Sequence, residues 1–418
     1  MALSATVPGR YAYAPSEGER RWRAGRAAAV LGGEMVDDVI RFNKPALEGN
    51  EMAYVETAVE TGHTSCSGPY ATTAAGLLND WLGSSSVLLT TSCTAALEMS
   101  ALLLDLEPGD TVVVPSFTFT STALAFLRTG ARVLFCDIER ETLGLDPGHL
   151  ATLLDDSVRA VVPVHYAGVG CDMAGIQAAI AGRDVAIVED NAHGLFGTYR
   201  GQPLGSLGRF ATLSFHETKN FICGEGGALI VNDPRDVNRA WTLYDKGTNR
   251  REFMLGEVDK YSWHDIGGSF GLSEVLAAFL YAQLERRDVI LAKRRAVFDS
   301  YMHMLSPLAD ELRLELPIVP PDREQAYHMF YVLLPDRATR DAALESMRAQ
   351  GVQPTFHYVP LHSAPAAQRF AARPTECPVT DDVSDRLLRL PFHNNLSIDD
   401  IDRVVGSLCN ALATIAAE

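Results

Sequence analysis

Lys219 lies in the run Ser214-Phe215-His216-Glu217-Thr218-Lys219-Asn220, closed by Gly224-Glu225-Gly226-Gly227. Apolar strand-like runs flank it, Arg209 to Phe215 and Ala228 to Val231. A lysine at a strand end, with glycines leaving room beside it, can form a Schiff base with an aldehyde cofactor. A lone lysine is far more often a solvated surface group. This one gains weight from partners upstream, each at the end of a predicted strand.

Asp190 ends the run Val185-Ala186-Ile187-Val188-Glu189. Against a pyridine nitrogen, its carboxylate would keep that nitrogen protonated, so the ring could draw off carbanion charge. It is equally suited to cap the turn Asn191-Ala192-His193-Gly194. Ser92-Cys93-Thr94-Ala95 opens a helix after Val87 to Thr90. Free N–H groups and the positive end of the helix dipole suit a phosphate there, or the tetrad is an ordinary cap. Phe119 follows a third strand end and could stack on a planar ring, although most aromatics are core. His193 could meet a ring oxygen, although a lone histidine is more often structural. A phosphate cradle, an aromatic plate, a ring-nitrogen carboxylate and a lysine together suit pyridoxal 5′-phosphate (PLP).

The elements that must gather these groups alternate. Strands are predicted at 87–90, 111–115, 132–137, 159–164 and 185–189, with helices at 94–104, 121–129, 146–155 and 172–181 between them. The strand runs are apolar with little alternation, so both faces should be covered. Such alternation implies a mostly parallel, doubly wound α/β sheet, whose ligands bind beyond the carboxyl ends of the strands. From about residue 270 the texture changes. Leu272 to Leu305 reads as one long helix or two joined ones. Helices near 338–349 and 398–415 and a β-rich piece, Met329 to Leu334, then suggest a smaller α+β domain.

The chain has 418 residues, a hydrophobic content of 47% and a net charge of −17. The acidic balance argues against a nucleic-acid partner, since no basic surplus exists to displace counterions. Seven cysteines without a CxxC pair favour reduced thiols over disulfides or a metal site, and hence a cytoplasmic protein. No apolar run is long enough to span a membrane. The Arg- and Ala-rich start, with Arg20-Arg21 before Ala27 to Leu31, is too short in its apolar part for an export signal. It is expected to be an extension, followed by a large domain at 39–285 and a small one at 286–418.

The order SCTAALEM, PSFTFTSTA, VPVHYAG, VEDNAHG, SFHETKN, GEGGALIVND, KGTNR and FHYVPLH resembles the PLP-dependent nucleotide-sugar aminotransferases of the DegT/DnrJ/StrS family. The resemblance runs over roughly residues 39 to 415. It implies an aspartate-aminotransferase-like (fold type I) architecture with active sites at a homodimer interface, or a dimer of dimers. By resemblance Lys219 is the Schiff-base lysine and proton carrier, and Asp190 pairs with the pyridine nitrogen. Phe119 matches the stacked aromatic, His193 the residue near the ring hydroxyl, and Cys93, Thr94 and Ser214 the phosphate contacts. Tyr358 and His362 match positions near the sugar-nucleotide pocket. Arg250 is a candidate for the diphosphate.

HETKN with KGTNR, DKYSWHDIG and MFYVLLP is most similar to the subgroup acting at C4 of dTDP-4-keto-6-deoxyglucose. The implied reaction converts that sugar to dTDP-4-amino-4,6-dideoxyhexose with L-glutamate as amino donor. Action at C3 or on another nucleotide keto sugar is the nearest alternative, and a non-catalytic binding or regulatory protein the remote one. In one place the chain departs from the pattern. Where many members carry an asparagine that reaches the partner subunit's cofactor phosphate, Gly271 stands, and Asn249 or Arg250 is the expected substitute.

Overall fold

The computed structural model describes residues 39–417; the expected extension at 1–38 lies outside them. Twelve strands follow in chain order: β1 (Ser86–Thr90), β2 (Thr111–Pro115), β3 (Arg132–Cys136), β4 (Val158–Val161), β5 (Ala186–Asp190), β6 (Thr198–Tyr199), β7 (Gln202–Pro203), β8 (Phe210–Ser214), β9 (Gly227–Val231), β10 (Arg323–Glu324), β11 (Tyr331–Leu333) and β12 (Leu387–Arg389). Seven form one sheet in the order β1-β9-β8-β5-β4-β2-β3. β9 is antiparallel to both β1 and β8, while the pairs from β8 to β3 are parallel. Six of the seven strands therefore run the same way, as the alternating pattern requires. The carboxyl ends of β1, β2, β5 and β8 open on one edge.

Successive residues of these strands bury into different clusters. Val112, Val114, Val133 and Val188 pack on one face, with the helices Cys93–Leu103 and Ser121–Leu127. Val113, Leu134, Val161 and Ile187 pack on the other, with Pro147–Leu153 and Met173–Ala179. Covering on both faces explains why the runs read as continuously apolar. β4 stops at Val161, short of the expected Val164. Pro163 supplies no N–H to a ladder, which accounts for the early end.

The stretch 272–305 is two helices, Glu274–Glu285 and Arg287–Leu305, broken where Arg286 leaves helical geometry at φ −97° and ψ 17°. Ile290 belongs to the cluster under β8 and β9. Val297, Phe298, Tyr301 and Leu305 belong to a separate cluster with Phe330, Leu344, Leu388 and Val404. The second helix thus ties the sheet to the C-terminal elements, the β11–β12 ladder and the helices Arg337–Ala349 and Ile398–Ala417. Among the described residues no helix is long and apolar enough to cross a membrane.

Candidate active site

The four strand ends meet in one cavity of about 600 Å³. Cys93, Thr94, Phe119, Asp190, His193, Ser214, Lys219 and Tyr358 all line it.

Lys219 is held by a loop fixed at both ends. Phe215, Phe221 and Cys223 are buried in the core, and the Lys219 N–H donates to the His216 carbonyl at 2.8 Å. The glycines have more specific tasks than leaving room. A Cβ on Gly227 would stand 2.4 Å from the Cys93 nitrogen, so β9 can press against the start of that helix only without a side chain. Gly224 turns the loop back with φ +88°. Burial lowers the Lys219 ammonium to about 8, from an ordinary 10.5. The Arg389 charge acts in the same direction, and Asp190 acts against it.

Asp190 is the last residue of β5 and is 5% exposed. Its Oδ1 accepts from the Ala192 N–H at 3.2 Å, the capping contact the sequence suggested. Its Oδ2 accepts from the Thr122 hydroxyl at 2.7 Å. Thr122 has one proton to give, so the 2.8 Å contact between Thr118 and Thr122 has Thr118 as donor. Burial raises the Asp190 carboxyl above its ordinary range.

His193 stacks on His328 with ring centroids 4.2 Å apart. Asn220 donates to the Ala326 carbonyl through Nδ2 at 2.6 Å, so its Oδ1 accepts from His328 Nδ1 at 2.9 Å. Burial drives both rings well below their ordinary pKa, and they are neutral. His193 Nδ1 is buried and has no partner among the described residues.

Ser92 caps the helix Cys93–Leu103 through its hydroxyl, which accepts from the Ala95 N–H at 3.1 Å. The Cys93 and Thr94 N–H groups at the helix start lack intrahelical partners, and both residues line the cavity. Burial pushes the Cys93 thiol up, so it is neutral there. Phe119 stands at the rim, 60% exposed. Tyr358 is both core and wall: it packs edge-on against Phe117 at 5.5 Å and lines the cavity.

Three expected residues lie elsewhere. His362 is turned to β2, where its Nδ1 meets the Ser116 hydroxyl at 2.7 Å and its Nε2 lies 3.5 Å from Asp381. Arg250 starts the short helix Arg250–Met254 and pairs with Asp245 at 3.5 Å, as a surface ion pair would. Asn249 accepts from the Ser262 N–H at 2.9 Å. None of the three lines the cavity of its own chain. Gly271 has no space for a side chain, because a Cβ there would lie 2.7 Å from Cys66 Cβ and 2.9 Å from the Tyr244 hydroxyl.

The cavity also contains Arg389, His328 and His357, which the sequence reasoning missed. For Arg389 a signal existed: a charge inside the apolar run Leu387-Leu388-Arg389-Leu390. The two histidines carry no comparable mark.

The profile of the DegT/DnrJ/EryC1/StrS aminotransferase family matches residues 45–409. The chain belongs to this family. The family is one of PLP-dependent aminotransferases, and the chain is such an enzyme. Among solved structures, the aminotransferase TlmJ from Streptoalloteichus hindustanus is 29% identical, with a TM-score of 0.83 over 90% of this chain and all (100%) of that one. DesV from S. venezuelae is 28% identical, with a TM-score of 0.78 over 87% of this chain and 94% of that one. PseC from Helicobacter pylori, an aminotransferase of pseudoaminic acid biosynthesis, shares the fold at 20% identity, with a TM-score of 0.80 over 90% and 100% of the two chains.

The residues of this family member fit PLP. The orphaned His193 Nδ1 suits a ring oxygen, and the open helix start suits a phosphate. The buried Asp190 suits a protonated ring nitrogen that would offset the cost of its charge.

Proposed function

We propose that the chain transaminates a nucleotide-linked keto sugar, dTDP-4-keto-6-deoxy-D-glucose, to dTDP-4-amino-4,6-dideoxyhexose with L-glutamate as amino donor. One observation carries the catalytic part: Lys219, Asp190 and the open start of the Cys93–Leu103 helix face a single cavity. The choice of C4 and of the dTDP sugar rests on the motifs HETKN, KGTNR and MFYVLLP.

When bound, PLP supplies an aldehyde and a ring that absorbs carbanion charge. Thr94, Cys93 and Ser214 would hold its phosphate, Phe119 would cover its ring, and Asp190 would keep the proton on its nitrogen. His193, neutral and stacked on the His328 that Asn220 holds, would meet its ring oxygen. The Lys219 amine, with its proton affinity lowered toward neutrality, takes the proton from the donor's α-carbon and returns it on the cofactor side. It performs the same transfers in reverse at the sugar carbon. Tyr358 shapes the sugar side of the cavity. Asn249 and Arg250 lie outside their own chain's cavity. In our reading they serve a homodimer partner, where the Arg250 fork suits a diphosphate.

The test is incubation with L-glutamate and dTDP-4-keto-6-deoxyglucose, followed by NMR of the product. An amine on C4 is expected, and an amine on C3 or an unchanged sugar would refute the substrate assignment. Lys219→Ala should give a folded protein with neither bound chromophore nor transamination. Full turnover in that variant would overturn the mechanism.

A further inference from the structure

Among the described residues no hydrogen bond fixes the His193 ring. Its Nδ1 is orphaned, and its close neighbours are other rings. The χ2 torsion of a histidine has broad, two-fold wells, so an unbonded ring keeps its plane only through packing. Tyr166 meets the ring edge-on at 5.9 Å. His328 lies nearly parallel to it, with centroids 4.2 Å apart and planes at 16°. Burial keeps both histidines neutral, so no charge repulsion opposes the stack.

His328, by contrast, is fastened at ring and backbone. Its Nδ1 donates to Asn220 Oδ1 at 2.9 Å, and its N–H donates to the Ala167 carbonyl at 3.3 Å. Arg294, itself 3% exposed, donates to three uncharged oxygens: the Tyr327 carbonyl at 2.8 Å, the His328 carbonyl at 2.7 Å and Asn394 Oδ1 at 3.0 Å. Tyr327 takes the left-handed φ of +53°, a conformation that persists only where the surroundings hold it. The buried guanidinium supplies that hold with charge-assisted bonds. Asn220 directly follows Lys219, so the loop that carries the lysine also grips the His328 ring. A direct hydrogen bond to His193 would occupy a nitrogen. The stack fixes the plane and leaves both nitrogens for a ligand.

We propose that His328 is a positioning residue of the cofactor site: clamped by Asn220 and Arg294, it sets the plane in which His193 meets the cofactor's ring oxygen. The inference rests on the reading above that His193 faces that oxygen. The experiment titrates PLP into cofactor-free protein, with the Kd read from quenching of tryptophan fluorescence and the absorption maximum of the bound form recorded beside it. His193→Leu should weaken the Kd by about tenfold, the loss of one hydrogen bond, and shift the absorption maximum. His328→Leu should cause the same loss and the same shift. The double variant should also lose about tenfold rather than 100-fold, because His328 acts only through His193. His328→Phe, which keeps a flat plate and loses the Asn220 bond, should fall between wild type and His328→Leu. If His328→Leu does not fold, Asn220→Ala in both backgrounds gives the same cycle, since it frees the plate without removing it. A His328→Leu variant that binds PLP like wild type overturns the proposal. So does an additive double variant, which would mean that His328 acts on the cofactor or on the fold independently of His193. A His193→Leu variant with unchanged Kd and absorption refutes the ring-oxygen reading itself and the proposal with it, an outcome seen without any change at His328.

Discussion

Thr122 donates its hydroxyl proton to Asp190 Oδ2 at 2.7 Å, and Thr118 in turn donates to Thr122. The two threonines precede and begin the helix after β2, so the carboxylate at the end of β5 is aimed by the βα unit of β2, which lies beyond β4 in the sheet. Asp190→Asn should keep the fold and lower turnover on the order of 100-fold, because a neutral amide no longer holds the ring proton. Thr122→Val should cost less, about tenfold, since it removes one bond and leaves the charge. Steady-state kinetics beside a thermal melt checks both. A Thr122→Val variant as slow as Asp190→Asn would show that aiming, rather than charge, dominates.

The Lys219 ammonium titrates near 8 in the cofactor-free fold against 10.5 in its ordinary state. Between those values the unfolded chain binds more protons, so stability rises with pH there. Below about 8 both states are protonated and the penalty is fully present. The cofactor-free wild type should therefore gain stability from pH 8 to 10 relative to Lys219→Met, by at most about 3 kcal/mol, less what solvent in the cavity screens. Urea denaturation of both proteins at the two pH values measures it. Parallel pH profiles would show that the lysine is not desolvated.

Glu189, one residue before Asp190 and fully buried, faces the opposite side of the sheet. Its Oε1 accepts from the Leu207 and Gly208 N–H groups, both at 2.7 Å. Its Oε2 accepts from the Gly205 N–H at 2.8 Å and from His165 at 2.9 Å. Glu189→Ala strands these donors and should destabilise the protein by about 3–5 kcal/mol in urea melts. The loss should be in stability rather than in the chemistry of protein that remains folded.

Gly271→Asn, which introduces the asparagine that the family resemblance leads one to expect, should destabilise rather than help. Its Cβ would press on Cys66 Cβ at 2.7 Å and on the Tyr244 hydroxyl, which donates to the Leu89 carbonyl. Overpacking of this kind costs about 1–3 kcal/mol. A double variant with Cys66→Gly should recover part of the loss, which denaturant curves of the single and double variants would show.

The sequence by itself determined the alternating elements, because each apolar run and each cap acts locally. Ser92 caps its helix and Asp190 closes its strand through neighbours within three residues. It also marked Lys219, Asp190 and the Cys93 helix start as one site, since parallel strands must present their carboxyl ends on one edge. Only the tertiary structure decided what fills the rest of that site. Arg389 and Asp190 are about two hundred positions apart, and no local pattern links them. The same holds for His328, whose role depends on stacking against His193. It likewise turned His362 toward Ser116, placed Arg250 on Asp245, and closed the space at Gly271. Whether a side chain faces a cavity or its back wall depends on packing between distant segments, which periodicity along one segment does not encode.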